Sequence, residues 1–189
     1  DLSAYNGVLS DATFAVDEMD DSETGETVQV IGSALKDTVS ASYDADADAT
    51  VAINTQGIET LDIDLADSAV ELVIDMAKVT GLTTVNLTDA SSESVELLNL
   101  ATGVTVDITS TDATASRLEV KLATSTGSSD SQTFVVAAAS ANDNVNLVTA
   151  DIETLSISSD TALQVDLDLS GVSMTAAAGV VTANFTGAN

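Results

Sequence analysis

The sequence of 189 residues contains no cysteine, proline, histidine or tryptophan, and only four of its residues are lysine or arginine. These absences exclude a disulfide framework, a thiol nucleophile, a histidine-based catalytic triad and a zinc site built on Cys or His. Four cations do not form a phosphate-binding stripe, so nucleic acid is not an expected partner. No apolar run approaches the roughly 20 residues of a membrane-spanning helix, so we expect no membrane insertion.

Acidic residues dominate the charge: 31 Asp and Glu give a net charge of −27. Such a charge repels nucleic acid and anionic membrane surfaces. The mean hydropathy is nevertheless positive, at +0.26, which distinguishes this chain from a disordered acidic one. Alanine (28), threonine (25) and serine (22) are abundant. We therefore expect a folded chain with an aliphatic core and hydroxyl side chains on pleated surfaces.

From Thr50 onward, hydrophobic and polar residues alternate with a period of two. Leu61, Ile63 and Leu65, for example, alternate with Asp62 and Asp64. Strict alternation predicts half-buried strands, and the gaps between them are rich in Gly, Ser, Asp, Asn and Thr. We predict an all-β fold with few short helical turns. The candidate turns are the amphipathic residues 69–79 and the alanine-rich residues 137–141.

Short blocks recur along the sequence. The string IETL at residues 58–61 returns 94 positions later at residues 152–155, and residues 81–88 are similar to residues 103–109. Each unit has too little apolar surface to fold alone, so neighbouring units must stack. This pattern favours a β-solenoid or stacked β-sandwich-like repeats. A duplicated immunoglobulin-like sandwich stays open, since periodicity does not separate these architectures.

We expect residues 1–189 to form a single β-rich domain. Residues 1–48 are a candidate acidic N-terminal subregion, and residues 49–189 are the repetitive β body. Six carboxylates lie between Asp17 and Glu26, a run that is usually a solvated segment. The chain has neither an initiator methionine nor a basic-then-apolar leader, so we interpret it as a processed chain or a piece of a longer protein.

Three carboxylates at alternate positions form the sharpest local feature, Asp44, Asp46 and Asp48. In an extended segment they lie on one face, with roughly 6.5–7 Å between successive residues. They repel one another unless cations intervene. Ca²⁺ takes about six to eight oxygen ligands and prefers carboxylates and carbonyls, so it is the expected ion. Asp37 lies just upstream and joins the candidate set; the alternative is a solvated acidic loop.

Two further groups are candidate calcium ligands. Asp62 and Asp64 share the polar face of one predicted strand, and Asp166 and Asp168 repeat the arrangement later in the chain. Strands of a solenoid lie ~4.8 Å apart, so ladders of such carboxylates would need a counter-ion. The alternative is an acidic outer face that prevents edge-to-edge aggregation. Asp143, between two asparagines, is either part of an oxygen-rich ligand loop or an Asx-type turn.

Several strings resemble a known class of secreted proteins. Residues 30–39 (VIGSALKDTV) are similar to the edge of the calcium-binding repeats in RTX proteins, and residues 141–147 with 151–155 look like a second copy. Residues 81–88 resemble the threonine-rich strands of bacterial surface-layer proteins exported by type I secretion. The resemblance implies a calcium-dependent structural protein of the cell surface, located outside the cell and self-assembling into a lattice.

Catalysis is not expected, and we predict that the protein is not an enzyme. Paired carboxylates suit glycoside hydrolysis, but three Phe, two Tyr and no Trp make a poor sugar platform. A polysaccharide lyase needs basic residues, which are scarce. Arg117 and Lys121 flank Glu119 at strand spacing, so we expect them to share a face and to pair with carboxylates.

The leading hypothesis is therefore a structural module of a secreted surface protein. It would self-associate into an extracellular lattice or filament, stabilised by Ca²⁺ that bridges the acidic clusters. Two alternatives stay open: an adhesin that presents loops to a cell-surface glycan, and a halophilic-type acidic surface protein without specific calcium sites. Aromatic poverty argues against strong sugar binding, whereas abundant Asp and scarce Lys are compatible with the halophilic alternative.

Overall fold

The computed structural model describes twelve parts of the chain. They are residues 13–17, 29–43, 49–65, 72–89, 94–110, 116–124, 130–138, 144–149, 152, 154–159, 164–168 and 182–187.

These parts contain fifteen β-strands. In chain order they are β1 (Thr13–Asp17), β2 (Gln29–Ile31), β3 (Thr38–Ser42), β4 (Ala49–Gln56), β5 (Thr60–Asp64), β6 (Leu72–Thr80), β7 (Thr84–Asp89), β8 (Ser94–Leu100), β9 (Thr105–Ser110), β10 (Ser116–Leu122), β11 (Ser131–Ala138), β12 (Asn144–Thr149), β13 (Thr154–Ser159), β14 (Gln164–Asp168) and β15 (Thr182–Gly187). No helix occurs in the described residues. Those residues accordingly contain no helix long and apolar enough to cross a bilayer.

The prediction of short helical turns is wrong wherever the structure describes the two segments. Residues 72–79 belong to β6 and residues 137–138 to the end of β11. In β6, buried Leu72, Ile74 and Met76 alternate with less buried residues. This alternation fits a strand with one face in the core, and the tertiary packing of that face decides against a helix.

The strands form two parallel sheets, and successive strands along the chain belong to the two sheets in turn. The odd-numbered strands make an eight-stranded sheet in the order β1-β3-β5-β7-β9-β11-β13-β15, and the even-numbered strands make a seven-stranded sheet from β14 to β2. Each turn of the chain therefore adds one strand to each sheet, which is a β-solenoid. The predicted all-β solenoid is confirmed, and the immunoglobulin-like alternative is wrong because its sheets would be antiparallel.

The length of one turn varies along the solenoid. Register partners on neighbouring strands lie from 20 residues apart, for Asn144 and Gln164, to 29 residues apart, for Ser116 and Val145. The order of the strands in each sheet stays the same while the connections between them change in length. Loops tolerate such variation far better than a packed core does.

Aliphatic side chains stacked in register form the core. In one register column of the eight-stranded sheet, the six residues from β3 to β13 are at most 5% exposed: Val39, Leu61, Val85, Val106, Phe134 and Ile157. Residues of the seven-stranded sheet, such as Ile74 and Leu97, belong to the same buried cluster. The core therefore lies between the two sheets, and the alternation of the sequence decides which residues enter it.

The internal repeats correspond to stacked strands. Residues 81–88 and 103–109 include all but the last residue of β7 and of β9, which are neighbouring strands with Thr84 opposite Thr105. The more distant echo is displaced: the register connects Thr60 through Thr84, Thr105 and Thr133 to Ser156 rather than to Thr154. A displacement of two residues leaves the same faces buried, because side chains alternate with period two.

A column of glycines makes the turns that follow β2, β4 and β6. Gly32 N–H donates to the Gln56 carbonyl at 2.7 Å, and Gly57 N–H to the Thr80 carbonyl at 2.9 Å. Gly57 and Gly81 have φ values of +68° and +89°, where residues with a Cβ are strained. A Cβ on Gly32 would lie 2.0 Å from the Gly57 carbonyl oxygen. The glycines therefore allow successive turns to stack closely.

Candidate functional site

A row of polar residues runs across the outer face of the eight-stranded sheet. Ser40, Asp62, Asn86 and Asp107 are in register on four successive strands. Asn86 Nδ2 donates to Asp62 Oδ1 at 2.6 Å, and Ser40 Oγ donates to Asp62 Oδ2 at 3.3 Å. Both carboxylate oxygens of Asp62 therefore accept a hydrogen bond from a neighbouring strand.

This row differs from the predicted ladder of carboxylates. Directly neighbouring strands place an amide and a hydroxyl, rather than a second carboxylate, beside Asp62. The two carboxylate oxygens of Asp62 thus accept charge-assisted hydrogen bonds from neutral donors, and bonds of this kind are strong. Sequence reasoning missed Asn86, although the similarity of residues 81–88 to residues 103–109 aligns it with Asp107 and could have indicated the alternation.

Asp64 has a more open environment on the same strand. Asp64 is exposed, and its register neighbours are Ser42 and Thr88. Its carbonyl accepts a hydrogen bond of 2.7 Å from Tyr43 N–H. Tyr43 immediately precedes Asp44 in the sequence, so Asp64 is hydrogen-bonded to the residue before the acidic segment 44–48.

Asp37 lies at the other end of β3. It is fully buried, and its carboxylate accepts a hydrogen bond from Ser33 N–H within the turn that precedes β3. Its own N–H donates to Glu59 Oε2 at 2.8 Å, and its carbonyl accepts from Glu59 N–H at 3.2 Å. The strand from Thr38 to Ser42 covers about 13 Å at ~3.3 Å per residue. Asp37 and Tyr43 therefore lie at opposite ends of β3.

The remaining predicted ligands lie outside the described residues: Asp44, Asp46, Asp48 and Asp143. Within the described parts of the chain, no three acidic side chains converge in a way that could hold a metal ion. Asp37, Asp62 and Asp64 are thus three separate positions on the solenoid. Sequence spacing predicted the common outward face of Asp62 and Asp64, but it did not indicate their different surroundings.

In the seven-stranded sheet, two neighbouring carboxylates are paired with a lysine. Glu96 and Glu119 are direct register partners on β8 and β10. Lys121 Nζ lies 2.9 Å from Glu96 Oε1 and 3.3 Å from Glu119 Oε1. The hydrogen bond to Glu96, with a smaller contribution from Glu119, raises the pKa of Lys121. The predicted pairing of Lys121 with carboxylates is confirmed; the side chain of Arg117 lies outside the described part.

Asp75 organises an irregular part of this sheet that sequence reasoning did not single out. Its Oδ1 accepts hydrogen bonds from Asn99 Nδ2 at 2.8 Å and from Ala77 N–H at 2.9 Å. Asn99 has a φ of 59° and lies where the pairing of β8 with β10 skips one residue. Asn99 is thus the extra residue of a β-bulge, in a left-handed conformation that asparagine tolerates. Its side chain is hydrogen-bonded to Asp75.

Comparisons with protein-family models, curated proteins and solved structures give no match for this chain.

Proposed function

We propose that the chain is a structural module of a secreted cell-surface protein that assembles into an extracellular lattice or filament. Ca²⁺ bridges the acidic clusters of the chain, and the role of the chain is mechanical rather than catalytic. The observation that carries this proposal is the stack of parallel strands in register, whose outer faces carry carboxylates such as Asp62, Asp64 and Asp107. Such a body is regular and extends along one axis, which suits a building unit.

The charge of the chain supports a role for cations. A net charge of −27 makes a compact state repel itself, and ions that bind carboxylates of the folded state relieve this repulsion. In the described residues, Asp62 is satisfied by an amide and a hydroxyl, and Lys121 pairs with Glu96 and Glu119. The four Lys and Arg residues of the chain are far too few to form ion pairs with all 31 acidic residues.

The segment 44–48 together with Asp64 is the best candidate for the bridging site. The Tyr43–Asp64 backbone hydrogen bond joins β3 and β5 one residue before Asp44. Asp64 is therefore hydrogen-bonded to the residue that precedes the acidic segment in the sequence, and Ca²⁺ takes its ligands from flexible sets of carboxylate and carbonyl oxygens. Export into calcium-rich surroundings would couple ion binding to folding and assembly.

A calcium titration of chelator-stripped protein at low ionic strength tests the proposal. Far-UV circular dichroism follows folding, and electron microscopy follows assembly. We expect strand content and ordered assemblies to increase at roughly millimolar Ca²⁺, but not in NaCl of matched ionic strength. An equal response to NaCl would contradict specific calcium sites and favour a halophilic-type acidic surface. A monomer that retains glycans on an array would favour the adhesin alternative.

Charge-matched variants locate the ion. The triple variant Asp44→Asn, Asp46→Asn, Asp48→Asn removes three carboxylates from the candidate site, and Asp20→Asn, Asp21→Asn, Glu23→Gln removes three from the acidic run near the N-terminus. We expect the first triple to lose the calcium response and the second to retain it. Asp64→Asn should weaken the response more than Asp62→Asn, because both oxygens of Asp62 already accept hydrogen bonds.

A further inference from the structure

The two ends of the eight-stranded sheet are complementary in direction. In the described part of the chain, β1 pairs with β3 at one end and β15 pairs with β13 at the other, and all pairings are parallel. A second copy translated along the solenoid axis would bring its β1 beside β15 in the same parallel sense. Strand edges with unpaired N–H and C=O groups are templates for such pairing.

The phenylalanines of the chain follow the same column. All three, Phe14, Phe134 and Phe185, fall in the register column that contains buried Val39 and Ile157. Phe14 lies on the first strand of the sheet and Phe185 on the last. Continuation of the column from β15 to β1 of a second copy would therefore place two aromatic residues on neighbouring strands. Aromatic pairs are among the more stabilising neighbours in sheets.

Charge makes the two ends unequal. Residues 1–28 contain eight acidic residues and no Lys or Arg, whereas residues 169–189 contain no charged side chain. Contact between two acidic N-terminal ends is opposed by repulsion, whereas contact between an acidic end and a neutral end is not. Charge therefore disfavours contact between two N-terminal ends. Two β15 edges related by a two-fold axis would pair antiparallel, unlike every described strand pair, so the parallel sheet favours a head-to-tail arrangement, which produces an open filament rather than a closed dimer.

We infer that copies of this chain stack head to tail through β15 of one copy and β1 of the next, so that the eight-stranded sheet continues along a filament. This inference rests on the proposed function and specifies its contact. Among the described residues, the seven-stranded sheet has one strand fewer, so the described strands of this sheet leave a gap of one strand at each junction. Eight strands at ~4.8 Å per strand predict an axial repeat of about 38 Å per copy.

Opposite charges on β15 test the inference. The variants are Asn184→Asp with Thr186→Asp, and Asn184→Lys with Thr186→Lys, in the full-length chain. In the continued register, Thr186 is opposite Ala15, two residues from Asp17. We expect the aspartate pair to raise the critical concentration for assembly about fivefold, and the lysine pair to lower it about fivefold. Sedimentation measures these concentrations, and electron microscopy measures the repeat.

Matched controls carry the same charges in the middle of the solenoid, at exposed Thr102 and Thr109. Those pairs should change the critical concentration less than the pairs on β15. If both β15 pairs weaken assembly equally, two C-terminal ends meet and the inference is wrong. If the wild type assembles with another axial repeat, or all pairs act alike, the contact lies elsewhere, although the proposed function stands. If the wild type does not assemble at all, both proposals fail.

Discussion

Asn86 donates a 2.6 Å hydrogen bond from Nδ2 to Oδ1 of Asp62, across one step of the eight-stranded sheet. The next strand places Asp107 on the other side of Asn86. An amide thus lies between two carboxylates, which are two strand steps apart rather than at the ~4.8 Å spacing of neighbouring strands. The face remains acidic, but its charges are spaced along the solenoid axis.

Replacement of Asn86 by aspartate tests this spacing. Asn86→Asp removes the donor and sets three carboxylates on successive strands, so we expect a loss of about 2 kcal/mol in the free energy of unfolding at low salt. Urea unfolding measures the loss. Thr109→Asp adds the same charge at an exposed position with uncharged register neighbours, Thr88 and Ala137. Equal losses for the two variants would show that only net charge matters.

Lys121 performs the corresponding role for Glu96 and Glu119. Lys121→Met leaves two glutamates stacked without a cation, so we expect a loss of up to about 1 kcal/mol in low salt, because the lysine is largely exposed. The loss should shrink in salt solutions that screen surface charges. Lys78→Met, in the same sheet, makes an equal change in net charge and is the control. A salt-independent loss would contradict an electrostatic role for Lys121.

Alkaline pH should destabilise the protein through Tyr43 and Lys121. Burial raises the pKa of Tyr43, and the hydrogen bond to Glu96 raises that of Lys121. Both groups therefore hold a proton more tightly in the folded than in the unfolded chain, whose values are about 10 and 10.4. Their contribution to stability is fully present below about pH 10 and is lost as the pH rises further.

Urea midpoints measured across this pH range test the effect. We expect the decline above about pH 10 to be shallower in Tyr43→Phe than in the wild type. Tyr5→Phe changes the only other tyrosine of the chain and is the matched control. If the two variants have the same alkaline slope, burial of Tyr43 does not produce the decline.

The glycine column predicts a contrast between two alanine variants. In Gly32→Ala, the new Cβ meets the Gly57 carbonyl oxygen at 2.0 Å, whereas in Gly103→Ala it meets no atom within 4 Å. We expect Gly32→Ala to lower the free energy of unfolding by about 3 kcal/mol. Gly103→Ala should lower the free energy of unfolding by only about 1–2 kcal/mol, because its φ of +82° strains a residue with a Cβ. Comparable losses in thermal or urea unfolding would contradict the close stacking of turns.

The candidate site was predictable only in part. Alternation predicted that Asp62 and Asp64 share an outer face, and composition predicted scarce cationic partners. The partners of each carboxylate were not predictable, because Asn86 lies 24 residues from Asp62 and Glu96 lies 25 residues from Lys121. Turns of unequal length hide these relationships. The surroundings of Asp37 were not predictable for the same reason, because its partner Glu59 lies 22 residues away in the sequence.

By itself, the sequence determined that the chain is all-β, which residues enter the core and that the surface is strongly acidic. These properties follow from period-two alternation and charge count, which are local. Only the tertiary structure decided that the strands are parallel, that they form two sheets, and which polar side chains meet. Those properties depend on register between segments 20 to 29 residues apart, and register is set by simultaneous packing of both sheets against one core.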